Sequence, residues 1–292
     1  MINNRLSAGR VVAILVTLLT LITLGASQVA SQGSDPGGAL VVRSGDVDGL
    51  AEAIRNANSR GLGASPLRVY LEGGEYFIPA SNDPANPSLP EIATTIHFYG
   101  PQTRLWVNTR GATPTQIVVA PGAVVELHHV DVRMQAGVGR AILNRGQLAI
   151  FDSRFSAGLG EGGGIENHGT LTISRTAFIG NQYRSPNDRG GAILNAGALT
   201  VTCGLFEAGR AERGGAIFNA ASGSADITQS AFANNIANGG GAIFNDGGTV
   251  AAAGNWWQDA APRIESLYLG TDTITEGVAV EPLADGDPTQ DA

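Results

Sequence analysis

The chain of 292 residues contains no lysine, so all 18 of its basic residues are arginine, against 26 acidic residues. The formal net charge is −8, and no basic stripe is present that could follow a phosphate backbone, which excludes nucleic acid as an expected partner. Cys203 is the only cysteine. An internal disulfide therefore cannot form, and the stability of the fold must come from a packed core.

Residues 1–31 have the parts of a secretory signal. Arg5 and Arg10 precede an apolar run over residues 11–25, and small residues suited to cleavage follow. The run of about 15 residues is shorter than the roughly 20 residues of a membrane span. We therefore predict an exported protein, extracellular or at the cell surface. The segment is either a cleaved signal peptide or an uncleaved anchor that provides the only membrane contact.

A repeated pattern runs through residues 141–250. Each copy has small apolar residues followed by an asparagine, then an alternating strand, and an aromatic residue seven positions after the strand begins. Consecutive asparagines are 23, 28, 24 and 26 residues apart. A fixed internal offset with a variable spacing indicates one structural unit whose loops vary in length. The asparagines are Asn144, Asn167, Asn195, Asn219 and Asn245.

The composition of the repeat predicts strands. Each unit is rich in glycine, threonine, valine and isoleucine and has no amphipathic run of helix length, which favours a parallel β-solenoid over helical repeats. Stacked turns place equivalent residues about 4.8 Å apart. Inward isoleucines and phenylalanines are therefore expected to form the core, and the asparagines a structural ladder at one turn.

The domain boundaries follow from the same pattern. We predict a solenoid over residues 46–283, which includes a helix over residues 47–60 that caps the open end of the first turn. Residues 32–45 are predicted to be a flexible leader. The acidic residues 284–292 are predicted to be a disordered tail.

Two short motifs carry a resemblance to a known family. They look like the GGA[I/L/V] and FxxN repeats of chlamydial polymorphic outer membrane proteins and, more broadly, resemble bacterial secreted proteins of the pectate-lyase-like superfold. The resemblance spans roughly residues 40–283 and implies an all-β, single-stranded right-handed parallel β-helix. It carries little functional information, because this superfold hosts lyases, hydrolases, adhesins and scaffolds. The motifs are Gly-Gly-Ala-Ile at 190–193, 214–217 and 240–243, Phe-Ile-Gly-Asn at 178–181, and Phe-Ala-Asn-Asn at 232–235.

One set of stacked positions has the composition of a catalytic site. His129, Asp152 and Arg175 each lie four positions after a strand start, with Asp131 and Arg154 two positions further along. A carboxylate beside a histidine and an arginine suits proton abstraction and oxyanion stabilisation. The alternative interpretation is an outward ladder of charges that needs no substrate.

Two other features suit binding better. The connection from Phe178 to Ile193 is longer than its counterparts, so it is expected to protrude, and inserted loops on repeat proteins commonly carry recognition; the alternative is an insertion without function. An aromatic column is expected to face outward, where its rings stack on sugar rings or dock a partner, or else stack on one another and only reinforce the solenoid. The predicted binding residues are Tyr183, Arg184, Asp188 and Arg189 in the loop and Phe218 and Phe244 in the column.

From these features we predict a non-enzymatic exported protein that serves in adhesion, polysaccharide contact or envelope structure. Its expected partner is a polysaccharide or a component of the cell envelope, and the sequence predicts neither a cofactor nor a metal site. The alternative is a polysaccharide lyase or glycoside hydrolase of the same superfold. The absence of lysine disfavours this alternative, because the lyases that the fold resembles usually use a lysine together with an arginine and several aspartates.

Overall fold

The structure is a computed structural model in which the chain winds into about seven turns of a parallel β-solenoid. Within the described part of the chain it forms one short helix and 23 strands, which confirms the predicted all-β, right-handed parallel β-helix. The described residues are 39–80, 88–108, 115–135, 139–157, 163–182, 189–258, 264–266 and 272–275.

The N-terminal turns are irregular and contain the longest strands. They comprise β1 (Ala39–Val42), the helix α1 (Val47–Ser59), β2 (Leu67–Leu71), β3 (Gly74–Ile78), β4 (Thr95–Asn108), β5 (Thr115–Val119) and β6 (Val124–Gln135). Strands β4 and β6 each run round a bend, so their two halves belong to different outer faces of the solenoid. The register between them shifts at this bend, between Tyr99 and Thr103.

Five regular turns follow, and each contains three short strands. They are β7 (Arg140–Asn144), β8 (Gln147–Phe151) and β9 (Arg154–Ala157); β10 (Gly163–Asn167), β11 (Thr170–Ser174) and β12 (Ala177–Ile179); β13 (Ile193–Asn195), β14 (Ala198–Thr202) and β15 (Leu205–Glu207); β16 (Ile217–Asn219), β17 (Ser224–Thr228) and β18 (Ala231–Ala233); and β19 (Ile243–Asn245), β20 (Thr249–Ala253) and β21 (Trp256–Trp257). Strands β22 (Ile264–Ser266) and β23 (Asp272–Thr275) extend the stack.

The strands form two sheets along the solenoid axis. One sheet has seven strands, in the order β22-β19-β16-β13-β10-β7-β5, and the other has sixteen and includes β4 and β6. All pairs between the described strands are parallel, and each turn adds one strand to each column. Equivalent residues of successive turns are therefore neighbours, as the repeat predicts.

The core consists of columns of identical apolar residues. The five repeat isoleucines, from Ile142 to Ile243, are fully buried, as predicted from their inward alternation. A second column stacks aromatic rings with centroids 4.6 to 5.1 Å apart. Parallel rings at this spacing bury their faces against one another. This second column contains Phe155, Phe178, Phe206, Phe232 and Trp257.

The five asparagines form a hydrogen-bonded ladder beside this core. In each of the first four, Nδ2 donates to Oδ1 of the asparagine in the next turn, at 2.7 to 2.9 Å. The same amides also donate to backbone carbonyls of the following turn, such as Thr170 and Ala198. All five side chains are fully buried. Because buried amides are stable only when paired, the ladder links each turn to the next in a single register.

The first glycine of each Gly-Gly-Ala-Ile motif is required by the backbone. Gly190, Gly214 and Gly240 have φ angles of 63°, 65° and 58°. A Cβ at these positions would lie 1.9 to 2.3 Å from the carbonyl oxygen of the motif isoleucine. A larger residue is therefore excluded both by conformation and by space.

The helix begins and ends close to the predicted bounds. Asp46 caps its first turn by accepting a hydrogen bond from the amide of Gly49 at 2.7 Å. Its buried residues Leu50 and Ile54 belong to the same apolar core as Leu71 of the first turn. Helix and first turn thus share one core, as expected of a cap.

The predicted flexible leader is wrong in part. Residues 39–42 form strand β1, which pairs in parallel with β2, and Val42 is buried. The alternation of apolar residues at Leu40 and Val42 suits an added edge strand, which explains the difference. The predicted signal segment, residues 32–38 and the acidic tail lie outside the described residues.

The aromatic column generates a test of the register. Phe206 is fully buried between two other rings, so Phe206→Ala should lower the free energy of unfolding by about 3–5 kcal/mol. Ile236 is 54% exposed, so Ile236→Ala should change it by no more than about 0.5 kcal/mol. Urea unfolding at equilibrium measures both values. Equal losses in the two variants would show that Phe206 is not in the core.

Candidate functional site

Each turn of the solenoid has a corner at which the backbone is left-handed. The residues there have φ angles between 45° and 65°, although only the last of them is a glycine. This conformation lets the strand direction change within a residue or two. We call these positions the corner column: Gln102, His129, Asp152, Arg175, Cys203, Gln229 and Gly254.

The structure therefore places the three predicted catalytic residues next to one another in the corner column. Arg175 binds Asp152 through two contacts, from Nε to Oδ1 at 2.5 Å and from Nη2 to Oδ2 at 2.9 Å. His129, one turn before Asp152, is exposed. Outward side chains meet at this corner because consecutive turns are stacked in register on both sides of it.

A second column of charged side chains lies beside the corner. Glu75, Arg104, Asp131 and Arg154 are register partners on β3, β4, β6 and β9, and we call them the charge column. Arg104 donates from Nη1 to Glu75 at 2.5 Å and from Nε to Asp131 at 3.2 Å. Arg133 donates to the same oxygen of Asp131 at 3.0 Å. The alternating signs produce a continuous network rather than isolated charges.

These contacts determine the electrostatics of the site. Hydrogen bonds from Arg175 hold the pKa of Asp152 below its ordinary value, and the nearby charge of Arg175 adds to this effect. Hydrogen bonds to Asp131 and then Glu75 raise the pKa of Arg104. Both shifts favour the charged forms of Asp152 and Arg104.

The corner and charge columns form the walls of an open groove of about 810 Å³. Three arginines and three carboxylates line it, together with His129. The groove therefore contains the predicted Asp131 and Arg154 as well as two members of the predicted catalytic set. The six charged residues are Glu75, Arg104, Asp131, Arg133, Asp152 and Arg154.

Aromatic side chains flank the groove on the face of the charge column. Phe77 and Trp106 lie two positions beyond Glu75 and Arg104 and stack with their ring centroids 6.0 Å apart. Arg133 lies on the next turn, and its guanidinium is 5.6 Å from the centroid of the Trp106 ring. Phe77 is 54% exposed, so its ring is the accessible end of this stack.

A second group of rings lies on the other side of the corner. Tyr70, Tyr99, His128 and Phe151 are register partners whose ring centroids are 4.7 to 5.1 Å apart. Glu126 forms close contacts with two histidines: His128, a member of this group, at 2.9 Å and His97 at 3.4 Å. Burial is the main cause that lowers the pKa of His97.

Charged and aromatic side chains are concentrated in the N-terminal turns. The column that contains the rings from Tyr70 to Phe151 continues through Ser174, Thr202, Thr228 and Ala253. The charge column likewise continues through uncharged residues, Ala177, Leu205 and Ala231, and reaches another aromatic residue only at Trp256. Stacking of the turns does not require charged or aromatic residues at these outward positions, because mostly small residues fill the same positions in the regular turns. The difference therefore marks the groove as the candidate site.

The predicted exposure of Phe218 and Phe244 is wrong. Both are buried, with exposed fractions of 0% and 1%. The guanidinium of Arg189 lies 5.0 Å from the Phe218 ring, and that of Arg213 lies 5.4 Å from the Phe244 ring. Strand alternation directs these rings outward, but arginines from the connections of the preceding turn lie over them. The two rings also stack on each other, 5.5 Å apart.

The loop predicted to bind a partner is described only at its ends. Tyr183, Arg184 and Asp188 lie outside the described residues, and their binding role stays a prediction. Arg189 is exposed but covers Phe218. The buried guanidinium of Arg140 donates to the carbonyls of Arg189 and Gly190, the latter at 3.1 Å, and so anchors the C-terminal end of this connection.

Sequence reasoning missed the residues on the groove's N-terminal side. Glu75, Phe77, Arg104, Trp106 and Arg133 precede or begin the regular repeat, so no frame assigns them to columns. The signal that could have found them is strand alternation, because Tyr76 and Ile78 are buried and the residue between them must face outward.

The corner column has limited capacity for acid–base catalysis. Asp152 is ionised and both of its oxygens are bound by Arg175, so it lacks the raised pKa of a general acid and is weakly basic. Among the residues that the structure describes, no group of three or more histidine, cysteine, aspartate or glutamate side chains could hold a metal ion.

Known proteins provide no template for this site. No family model, no curated protein and no solved structure matches the chain.

Within the described ranges, none of the helical structure is long and apolar enough to cross a membrane.

The pair of Asp152 and Arg175 makes a pH-dependent contribution to stability. Because the folded pKa of Asp152 is lowered, the pair stabilises the fold above the unfolded pKa of about 3.9, and the contribution is lost as the pH falls through the folded pKa. A double-mutant cycle with Asp152→Asn and Arg175→Gln, measured by urea unfolding, should therefore give a favourable coupling free energy at about pH 7. The coupling should decrease as the pH is lowered below about 3.9 and through the folded pKa of Asp152. A coupling that is unchanged with pH would contradict an ionised pair.

Proposed function

We propose that the protein is an exported, non-enzymatic β-helix protein that contacts a polysaccharide through the groove of its N-terminal turns. The observation that carries this proposal is the set of charged side chains that line one groove of about 810 Å³, with the stacked rings of Phe77 and Trp106 on the same strands beside it. Sugars present hydroxyl groups that need both donors and acceptors, and apolar ring faces that pack on aromatic side chains. Arginines, carboxylates and the exposed Phe77 supply these partners together.

Rigid positioning supports a binding role. The groove lies on strands of a stacked sheet, and its charged side chains are held by contacts such as those of Arg104 with Glu75 and Asp131. Side chains that are already ordered lose little conformational entropy when a ligand binds. A pre-formed groove of this size is typical of ligand sites.

Export and surface location belong to the proposal through the sequence. The apolar segment in residues 1–31 has the pattern of a secretory signal. The Gly-Gly-Ala-Ile and Phe-x-x-Asn motifs resemble repeats of chlamydial polymorphic outer membrane proteins, which favours a place at the cell surface or in the envelope. Adhesion to a glycan-bearing surface is a role consistent with both features.

The alternative function is a polysaccharide lyase or glycoside hydrolase of the pectate-lyase-like superfold. The observation that favours it is the position of His129, which is exposed in the groove one turn from Asp152. Arg175 would then stabilise developing negative charge. The ionised, doubly bound state of Asp152 makes this the second candidate.

The proposal is tested by screening the purified protein against immobilised polysaccharides. Arg104→Gln removes the cation that joins Glu75 to Asp131 and should weaken binding by about tenfold, since hydrogen bonds to charged groups contribute about 1.5–3 kcal/mol. Arg55→Gln is the matched control, because Arg55 pairs with Glu52 on the surface of the helix. It should bind as the unchanged protein does.

Two outcomes would contradict the proposal. Equal weakening by Arg104→Gln and Arg55→Gln would show that the groove is not the binding site. Release of unsaturated or reducing products from a polysaccharide, abolished by His129→Ala, would show that the protein is an enzyme and establish the alternative.

A further inference from the structure

The charged side chains of the groove indicate which kind of polysaccharide it binds. This inference rests on the proposed function and identifies the ligand class for the same site. We infer that the groove binds an uncharged chain of pyranose sugars rather than a uronate polymer, and that Phe77 provides the surface on which one sugar ring stacks.

The first step concerns the balance of charge. The groove is lined by three arginines and by three carboxylates, so their formal charges cancel. Each carboxylate also contacts an arginine: Glu75 and Asp131 contact Arg104, and Asp152 contacts Arg175. With Arg175, which binds Asp152 from outside the lining, the arginines outnumber the carboxylates by one, but each carboxylate is already held by an arginine. An anionic ligand would therefore have to displace a carboxylate from an existing ion pair to bind the guanidinium that holds it.

The second step concerns hydrogen-bond capacity. An arginine offers only donors and an ionised carboxylate only acceptors, whereas a hydroxyl group does both. A sugar hydroxyl can accept from a guanidinium and donate to the carboxylate beside it without breaking the pair. A uronate carboxylate cannot donate, and it would lie within several ångströms of Glu75, Asp131 or Asp152, where like charges repel. The formal net charge of −8 adds long-range repulsion of polyanions.

The third step concerns the aromatic surface. One face of the Phe77 ring stacks on Trp106 with an angle of 5° between the ring planes. Among the described strands, β3 pairs only with β4, so no strand covers the other side of Phe77. The exposed fraction of 54% agrees with an open ring face. The C–H face of a pyranose ring packs on such a surface, and this contact requires no charge on the sugar.

The inference is tested by measuring retention of the full chain by soluble polymers in affinity electrophoresis. The neutral probes are a glucan, a mannan and a galactan, and the acidic probes are polygalacturonate and alginate. We expect binding to at least one neutral polymer, with equal affinity at about 50 mM and about 500 mM salt, because contacts without net charge are not screened. Phe77→Ala should lower this affinity by about fivefold, the equivalent of about 1 kcal/mol for an aromatic contact.

Ile236→Ala is the matched control, because Ile236 has the same exposed fraction as Phe77 and lies outside the groove lining. It should leave affinity unchanged. Binding confined to the acidic polymers and weakened by salt would overturn the inference while leaving polysaccharide contact in place. An unchanged affinity of Phe77→Ala for a neutral polymer would overturn the role of Phe77. Retention by none of the five polymers would overturn both the inference and the proposed function.

Discussion

The fold depends on the amide ladder of five asparagines. The first four side chains each donate to the asparagine and to a backbone carbonyl of the next turn, and all five are fully buried. A turn displaced by one residue would leave buried amides unpaired, at a cost of about 1–3 kcal/mol for each unsatisfied group. The ladder therefore fixes the register in which isoleucines and phenylalanines stack, and the same register brings outward residues into columns.

The candidate site is a consequence of this register. Glu75, Arg104, Asp131 and Arg154 are far apart in the sequence, yet they are neighbours because each occupies the same position in consecutive turns. Arg104 binds the carboxylates on either side of it, Glu75 and Asp131, which holds these side chains in place. A repetitive core therefore produces a non-repetitive surface wherever the outward residues of successive turns differ.

Prediction from the sequence succeeded where the repeat is regular. Asparagine spacing and strand alternation were sufficient to place the core isoleucines and the ladder. They failed for Phe218 and Phe244, because alternation gives the direction of a side chain but not which residues of another turn cover it, here Arg189 and Arg213. They also missed the aromatic and charged residues on β3 and β4, because these long strands precede the regular frame.

The central claim is that ligand contact is confined to the N-terminal turns. Amide hydrogen exchange, measured with and without a saturating polysaccharide, tests it most directly. Binding should slow exchange in residues 74–78, 102–108 and 129–135, which carry the groove, and leave residues 217–253 unchanged. Protection confined to residues 217–253, where the outward columns hold mostly small side chains, would contradict the account.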